Sequence, residues 1–163
     1  MHINWFKIIC SLLLCLAAGG IGSFFTADAI PTWYAGLTKP YFNPPNWIFG
    51  PVWTTLYIMM GFALYRVWQK KLTHDKKTKI PSKKKAIIVF LIQLLINTLW
   101  SILFFGLQNP FVALLGIIVL WKFILYTIID FYKIDQRAAW LLVPYLGWVT
   151  FAAILNFYIW KLN

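Results

Sequence analysis

Residues 86–105 read AIIVFLIQLLINTLWSILFF: twenty positions without a charge, bounded on one side by Lys83, Lys84 and Lys85. A helix of about 20 apolar residues spans the hydrocarbon of a bilayer. Pro81-Ser82 supplies a helix start signal just before it. Four further runs share this character, over residues 5–26, 48–68, 110–132 and 138–160. The fold class expected is therefore an all-α integral membrane protein, a bundle of five transmembrane helices forming one domain over residues 1–163. Composition agrees. The chain is 61% hydrophobic, 20% aromatic and 12% charged, with a mean hydropathy of +0.73. A soluble domain is about 45–50% apolar and about 25% charged. The same figures exclude disorder, coiled coil and a disulfide-rich scaffold.

The first run is too long for an ordinary signal-peptide core, although Ala27-Asp28-Ala29 resembles a cleavage site. Pro44 and Pro45 introduce the second, and Pro51 falls inside its first turns, where a kink is expected. Asn109-Pro110 is a cap and first-turn pair for the fourth. Residues 27–46 form the longest uncharged link. They carry Trp33, Tyr34, Tyr41 and Phe42 with Pro31, Gly36 and Pro40, which is not the composition of a solvated linker. They are expected to form an aromatic lid loop between helices 1 and 2, packed on the bundle mouth.

The net charge is +11, and nine of the 15 basic residues lie between Arg66 and Lys85. By the positive-inside rule this places the N-terminus, the 2–3 loop and the 4–5 loop in the cytoplasm, with the lid and C-terminus outside. The basic run 70–85 is expected to lie against anionic lipid heads. Once so much charge occupies one juxtamembrane loop, it points to no nucleic-acid partner. Cys10 and Cys15 read as free thiols within a span. His2 and His74 lie at polar ends, away from ligand spacing, so no metal site is expected. Glutamate is absent and there are four aspartates, which leaves no paired carboxylates. No Ser/His/Asp set and no phosphate-binding glycine loop can be assembled.

The spans contain polar and aromatic residues that a plain anchor lacks. Gln93, Asn97, Trp100 and Ser101 share one face of span three; Tyr145, Trp148, Ala152, Leu155 and Asn156 form a stripe on span five. Phe49, Trp53 and Tyr57 align on span two. Facing one another, these stripes would line a cavity for a large flat hydrophobic ligand, with indole faces for stacking and N–H groups for a polar edge. The competing reading is ordinary packing, with Asn97 and Asn156 as interhelical glue worth about 0.6 kcal/mol each. Trp5, Trp68, Trp121 and Trp160 suit packing or an interfacial belt better than a pocket. Ala18, Gly19, Gly22 and Ser23 form small-xxx-small pairs, for close contact within the bundle or at a dimer face. Lys122, near the middle of span four, needs a buried partner or a ligand carboxylate unless the span ends lie elsewhere.

Trp33-Tyr34-Ala35-Gly36-Leu37, Lys39-Pro40, Pro44-Pro45, Trp47, Gly50-Pro51-Val52-Trp53 and Leu56-Tyr57 together resemble the signature of the translocator protein family (TspO/MBR, the peripheral benzodiazepine receptor group). Asn97, Trp100 and Phe104-Phe105-Gly106 resemble its third span; Pro144-Tyr145-Leu146, Trp148, Phe151-Ala152 and Leu155-Asn156 resemble its fifth. The similarity covers essentially the whole chain and points to a bacterial member in the cytoplasmic membrane. It implies a five-helix bundle, often a homodimer, whose first loop closes a pocket for porphyrins, sterols such as cholesterol and benzodiazepine-site ligands. Its pocket residues carry over onto Ser23, Tyr34, Trp53, Asn97, Trp148, Ala152 and Leu155, and the stripe adds Trp100. The function implied is a membrane receptor for tetrapyrroles in porphyrin sensing, sequestration or transport, without a resident cofactor. The alternative is light- and oxygen-dependent porphyrin breakdown, with Trp53 and Trp148 as the catalytic positions. Leu155, Tyr158 and Lys161 fit a sterol-recognition pattern. The family's tyrosine corresponds to Phe157, which turns the Tyr158 hydroxyl by about 100° around the helix.

Overall fold

The computed structural model of the chain describes residues 3–71 and 81–163. His2, His74, Asp75 and the middle of the basic run 70–85 lie outside the described residues. Helix α1 (Trp5–Ala29) continues through a π turn (Ile30–Tyr34); α2 is Asn46–Gln69. Helix α3 (Lys83–Ser101) also ends in a π turn (Ile102–Gly106), and α4 is Pro110–Ile134. Two helices complete the chain, α5 (Gln136–Trp140) and α6 (Val143–Leu162). Five helical segments are long and apolar enough to cross a membrane: Trp5–Tyr34, Asn46–Gln69, Lys83–Gly106, Pro110–Ile134 and Gln136–Leu162. The protein is a five-helix membrane bundle with an aromatic lid loop between the first two.

Local chemistry explains where the helices begin. Asn4 Oδ1 accepts from Lys7 N (3.1 Å), Ser82 Oγ from Lys85 N (3.2 Å) and Asn109 Oδ1 from Val112 N (3.1 Å). Each cap satisfies a first-turn N–H that has no helical partner. Two departures from simple spans trace to proline. Pro31 has no N–H for the carbonyl four residues back, and at that point the backbone widens into a π turn instead of ending. The helix therefore runs to Tyr34, well past residue 26, and shortens the loop. Pro144 likewise interrupts the last span. The chain breaks at Leu141 and Leu142, and α6 begins with Pro144 in its first turn.

Small residues set the helix spacing. A Cβ on Gly61 of α2 would sit 3.0 Å from the Leu12 Cα of α1; one on Gly19 would sit 2.5 Å from the Tyr57 ring. Gly22 faces Ser101 Oγ at 3.0 Å by the same construction. Two members of the small-residue face of α1, Gly19 and Gly22, thus meet α2 and α3 inside the bundle.

A polar chain holds the centre. Tyr57 OH donates to Asn97 Oδ1. Asn97 Nδ2 donates to Tyr145 OH at 2.9 Å, and Tyr145 OH donates to Gln93 Oε1 at 3.0 Å. Asn97, Gln93 and Tyr145 are almost fully buried, and the chain ties α2, α3 and α6 together. Trp100 Nε1 donates to Asn156 Oδ1 (3.3 Å), whose Nδ2 donates to the Pro110 carbonyl (2.7 Å). The glue role of Asn97 and Asn156 is realised: polar groups in hydrocarbon find each other because water is absent.

Candidate functional site

A cavity of about 590 Å³ opens between α1, α2, α3 and α6 at the end of the bundle that carries the lid. Helical spacing builds its walls. Phe49, Trp53 and Tyr57 follow one another at four-residue intervals on α2, and Trp148, Ala152, Leu155, Asn156 and Ile159 recur at three- and four-residue spacings along one face of α6. Trp100 and Ser101 come from the end of α3, with Phe104 and Phe105 presented by the π turn. Gly19, Gly20, Gly22 and Ser23 supply a wall of small residues on α1. Large rings on three sides and almost none on the fourth leave the space.

The rings pack edge to face, tilted or stacked. Trp53 lies 5.8 Å from Tyr57 and 6.2 Å from Tyr145, Trp100 stacks on Phe104 at 5.3 Å, and Trp148 meets Phe49 at 6.0 Å. Of the buried side-chain polar atoms in the walls, Trp148 Nε1 has no hydrogen-bond partner among the described residues; its ring packs against Phe49 and Phe151.

The lid is tied down at several points. Tyr34, almost fully buried, donates from OH to Asn43 Oδ1 at 2.8 Å, and the Lys39 ammonium sits 4.8 Å from the Tyr34 ring centre. Lys39 Nζ also donates to the Ala35 and Leu37 carbonyls. Phe42 packs on Phe151 and Tyr158. Asn163 clamps Thr38 on both sides, accepting from its N–H and donating to its C=O, each at 3.0 Å.

Seven of the eight residues expected to bind ligand line this one cavity: Ser23, Tyr34, Trp53, Trp100, Trp148, Ala152 and Leu155. Asn97 stands one layer below, hydrogen-bonded to the cavity-lining Tyr57. The three sterol-motif residues diverge. Leu155 faces the cavity, the exposed Tyr158 packs on Phe42, and Lys161 sits beside its own neighbour Trp160. Gly19, Gly20 and Gly22 of the α1 wall and Phe104-Phe105 were not among the expected ligand contacts. The adjacent phenylalanines at a span end were visible, but a helix with a regular period would aim only one of them inward. Among the described residues no group of three His, Cys, Asp or Glu side chains converges, and Cys10 and Cys15 are both free thiols.

Sequence comparison places this geometry among known proteins. The profile of the TspO/MBR family matches residues 11–161. The tryptophan-rich protein TspO of Archaeoglobus fulgidus is 48% identical over 160 residues, covering 98% of this chain and 99% of that protein. The tryptophan-rich sensory protein of Cereibacter sphaeroides is 36% identical over 163 residues, 100% of this chain and 95% of the relative. The translocator protein of Homo sapiens is 36% identical over 143 residues, 88% and 82% of the two chains. Relatives thus span archaea, bacteria and mammals, a wider range than the bacterial group that the resemblance suggested.

Proposed function

The chain belongs to the TspO/MBR family, and from that premise we propose that its lid-end cavity binds a flat hydrophobic tetrapyrrole of the protoporphyrin type. The observation that carries this reading is the cavity of about 590 Å³ walled by Trp53, Trp100 and Trp148 with Phe49, Phe104 and Phe105. Ring faces accept a planar π system, and an indole N–H donates to a polar edge. The volume lies in the ordinary range for ligand pockets, about 300–1,000 Å³. The role is sensing, sequestration or transport of porphyrin, with sterol-like and benzodiazepine-site molecules as further candidates for the same space. Binding is read as quenching of tryptophan fluorescence by protoporphyrin in the purified protein. A Trp53→Phe/Trp148→Phe double variant is expected to bind about tenfold more weakly, which corresponds to one lost hydrogen bond and altered stacking. Unchanged affinity in that variant removes these positions from the site.

A second reading is light-driven porphyrin breakdown, favoured by Trp53 lying against both Tyr57 and Tyr145. A photoexcited porphyrin takes an electron from an adjacent indole or passes energy to oxygen, and neither step needs an acid–base pair. Illuminated aerobic protein then bleaches protoporphyrin faster than empty detergent micelles; equal rates discard the reading. We place the basic loops in the cytoplasm and the lid outside, which cysteine labelling at Thr38 in sealed vesicles tests. A homodimer would use the outer face of α1, where Phe6, Leu13 and Phe24 are exposed. Cross-linking in membranes that yields only monomer ends that proposal.

A further inference from the structure

Lys122 stands at the midpoint of α4, twelve residues from Pro110 and twelve from Ile134. At 1.5 Å per residue either helix end is about 18 Å away. The hydrocarbon is about 30 Å thick, so the side chain's four-carbon stem does not reach water from the middle. Its side chain is exposed on the outer surface of the bundle, beside a groove of about 220 Å³ between α4 and α6. Ile118, Trp121, Thr150, Ala153 and Ile154 complete the lining. These α6 positions point away from the lid-end cavity, which is lined by Trp148, Ala152 and Leu155.

The groove's other polar groups satisfy each other. Trp121 Nε1 donates to Thr150 Oγ1 at 2.9 Å, and Thr150 Oγ1 donates to the Leu146 carbonyl at 2.8 Å. Lys122 takes no part, and no ion pair among the described residues includes it. An uncompensated cation at this depth is among the costliest placements in a span. Among the described residues, a second copy of the chain offers no free carboxylate at this depth. Asp135 is already paired with Arg66 and Lys70, Asp28 and Asp130 lie toward span ends, and a twofold axis at the groove would set Lys122 against Lys122.

We propose that the Lys122 groove binds the carboxyl head of a long-chain carboxylic acid dissolved in the bilayer. The ammonium offers three N–H donors to a head that accepts them, while the apolar lining takes the chain. A carboxylic acid in its neutral form carries its head into the hydrocarbon, whereas the permanently charged phospholipid phosphates remain at the interface, about 15 Å from the midplane.

The test uses the full chain in phosphatidylcholine nanodiscs and stearic acid bearing a nitroxide near its carboxyl end, followed by electron spin resonance. A protein-immobilised component is expected for the acid and about tenfold weaker association for its methyl ester. Lys122→Met should weaken acid binding equally and Lys122→Arg should restore it. Ala153→Trp, which fills the groove, should abolish it without altering protoporphyrin quenching. Equal immobilisation of acid and ester overturns the proposal on the wild-type protein alone. So does unchanged binding in Lys122→Met, or displacement of the acid when phosphatidylglycerol replaces part of the phosphatidylcholine, which would assign the site to a headgroup.

Discussion

At the basic end of the bundle Phe90 stacks on Phe131, both wholly buried, among Met60, Val67 and Ala138, which are also inaccessible. At the lid end, the same α2 and α3 carry Trp53 and Phe105, which face a cavity. Residue size does not account for the contrast, since both ends are rich in aromatics. Partners do. At the basic end the two buried rings Phe90 and Phe131 stack on each other, and Gly61 lets α1 and α2 close to backbone contact. At the lid end the rings of α2, α3 and α6 face the glycines of α1. Gly20 and Gly50 there have no atom near the place a Cβ would occupy. A close-packed floor and an unfilled mouth arise from where the small residues fall.

Phe90→Ala should give the largest effect, because it opens a hole in the closed half. Loss of about 3–5 kcal/mol is expected, read as a lowered midpoint of thermal unfolding in detergent. The corresponding Phe105→Ala, at the wall of an existing cavity, should cost distinctly less; equal losses would erase the distinction between the two halves.

The ion pair at the basic end comes next. Asp135 accepts three hydrogen bonds from Arg66 (3.1 and 2.9 Å from Nη2, 3.3 Å from Nε) and one from the Ala138 N–H. It thereby caps α5 while anchoring α2. Burial alone would raise its carboxyl, but the Arg66 hydrogen bonds, the Ala138 N–H and the charges of Arg66 and Lys70 outweigh it and hold the group below the usual carboxylate range. A depressed carboxyl contributes stability that is complete above the unfolded value of about 3.9 and is lost as pH falls through the lower folded value. Asp135→Asn should destabilise the neutral-pH protein by about 1–3 kcal/mol. It should also flatten the acid limb of the melting profile. An acid limb of unchanged steepness would show that the pair does not govern this end.

The smallest effects carry opposite signs. Gly61→Val should cost about 1–3 kcal/mol by pushing α1 and α2 apart. Gly50→Ala should gain about 0.5–1 kcal/mol from lower unfolded-chain entropy, because its Cβ meets nothing. Should both substitutions destabilise alike, the lid end is packed more tightly than its cavity implies.

Much of this was legible beforehand, and the reason is periodicity. The apolar runs and caps at Ser82 and Asn109 mark helices because water and hydrocarbon impose simple local rules. The stripes on α2, α3 and α6 converge because a 3.6-residue period fixes the direction of each side chain. Height was harder to read. Asn97 shares a face with Trp100 but lies a turn deeper, beneath Tyr57 and out of the cavity wall. Phe104 and Phe105 both line the cavity because the π turn changes the angle between successive residues. Leu155, Tyr158 and Lys161 look in successive directions because three-residue steps drift around a helix.

The sequence by itself determined the solvent, the helices and the face each one turns inward, since hydropathy and helical period are properties of a single segment. Only the tertiary structure decided that the inward faces enclose a cavity at one end and a solid core at the other. That depends on the relative height and separation of different helices, which are set where Gly19 meets Tyr57 and Gly61 meets Leu12, contacts between segments that no single segment encodes.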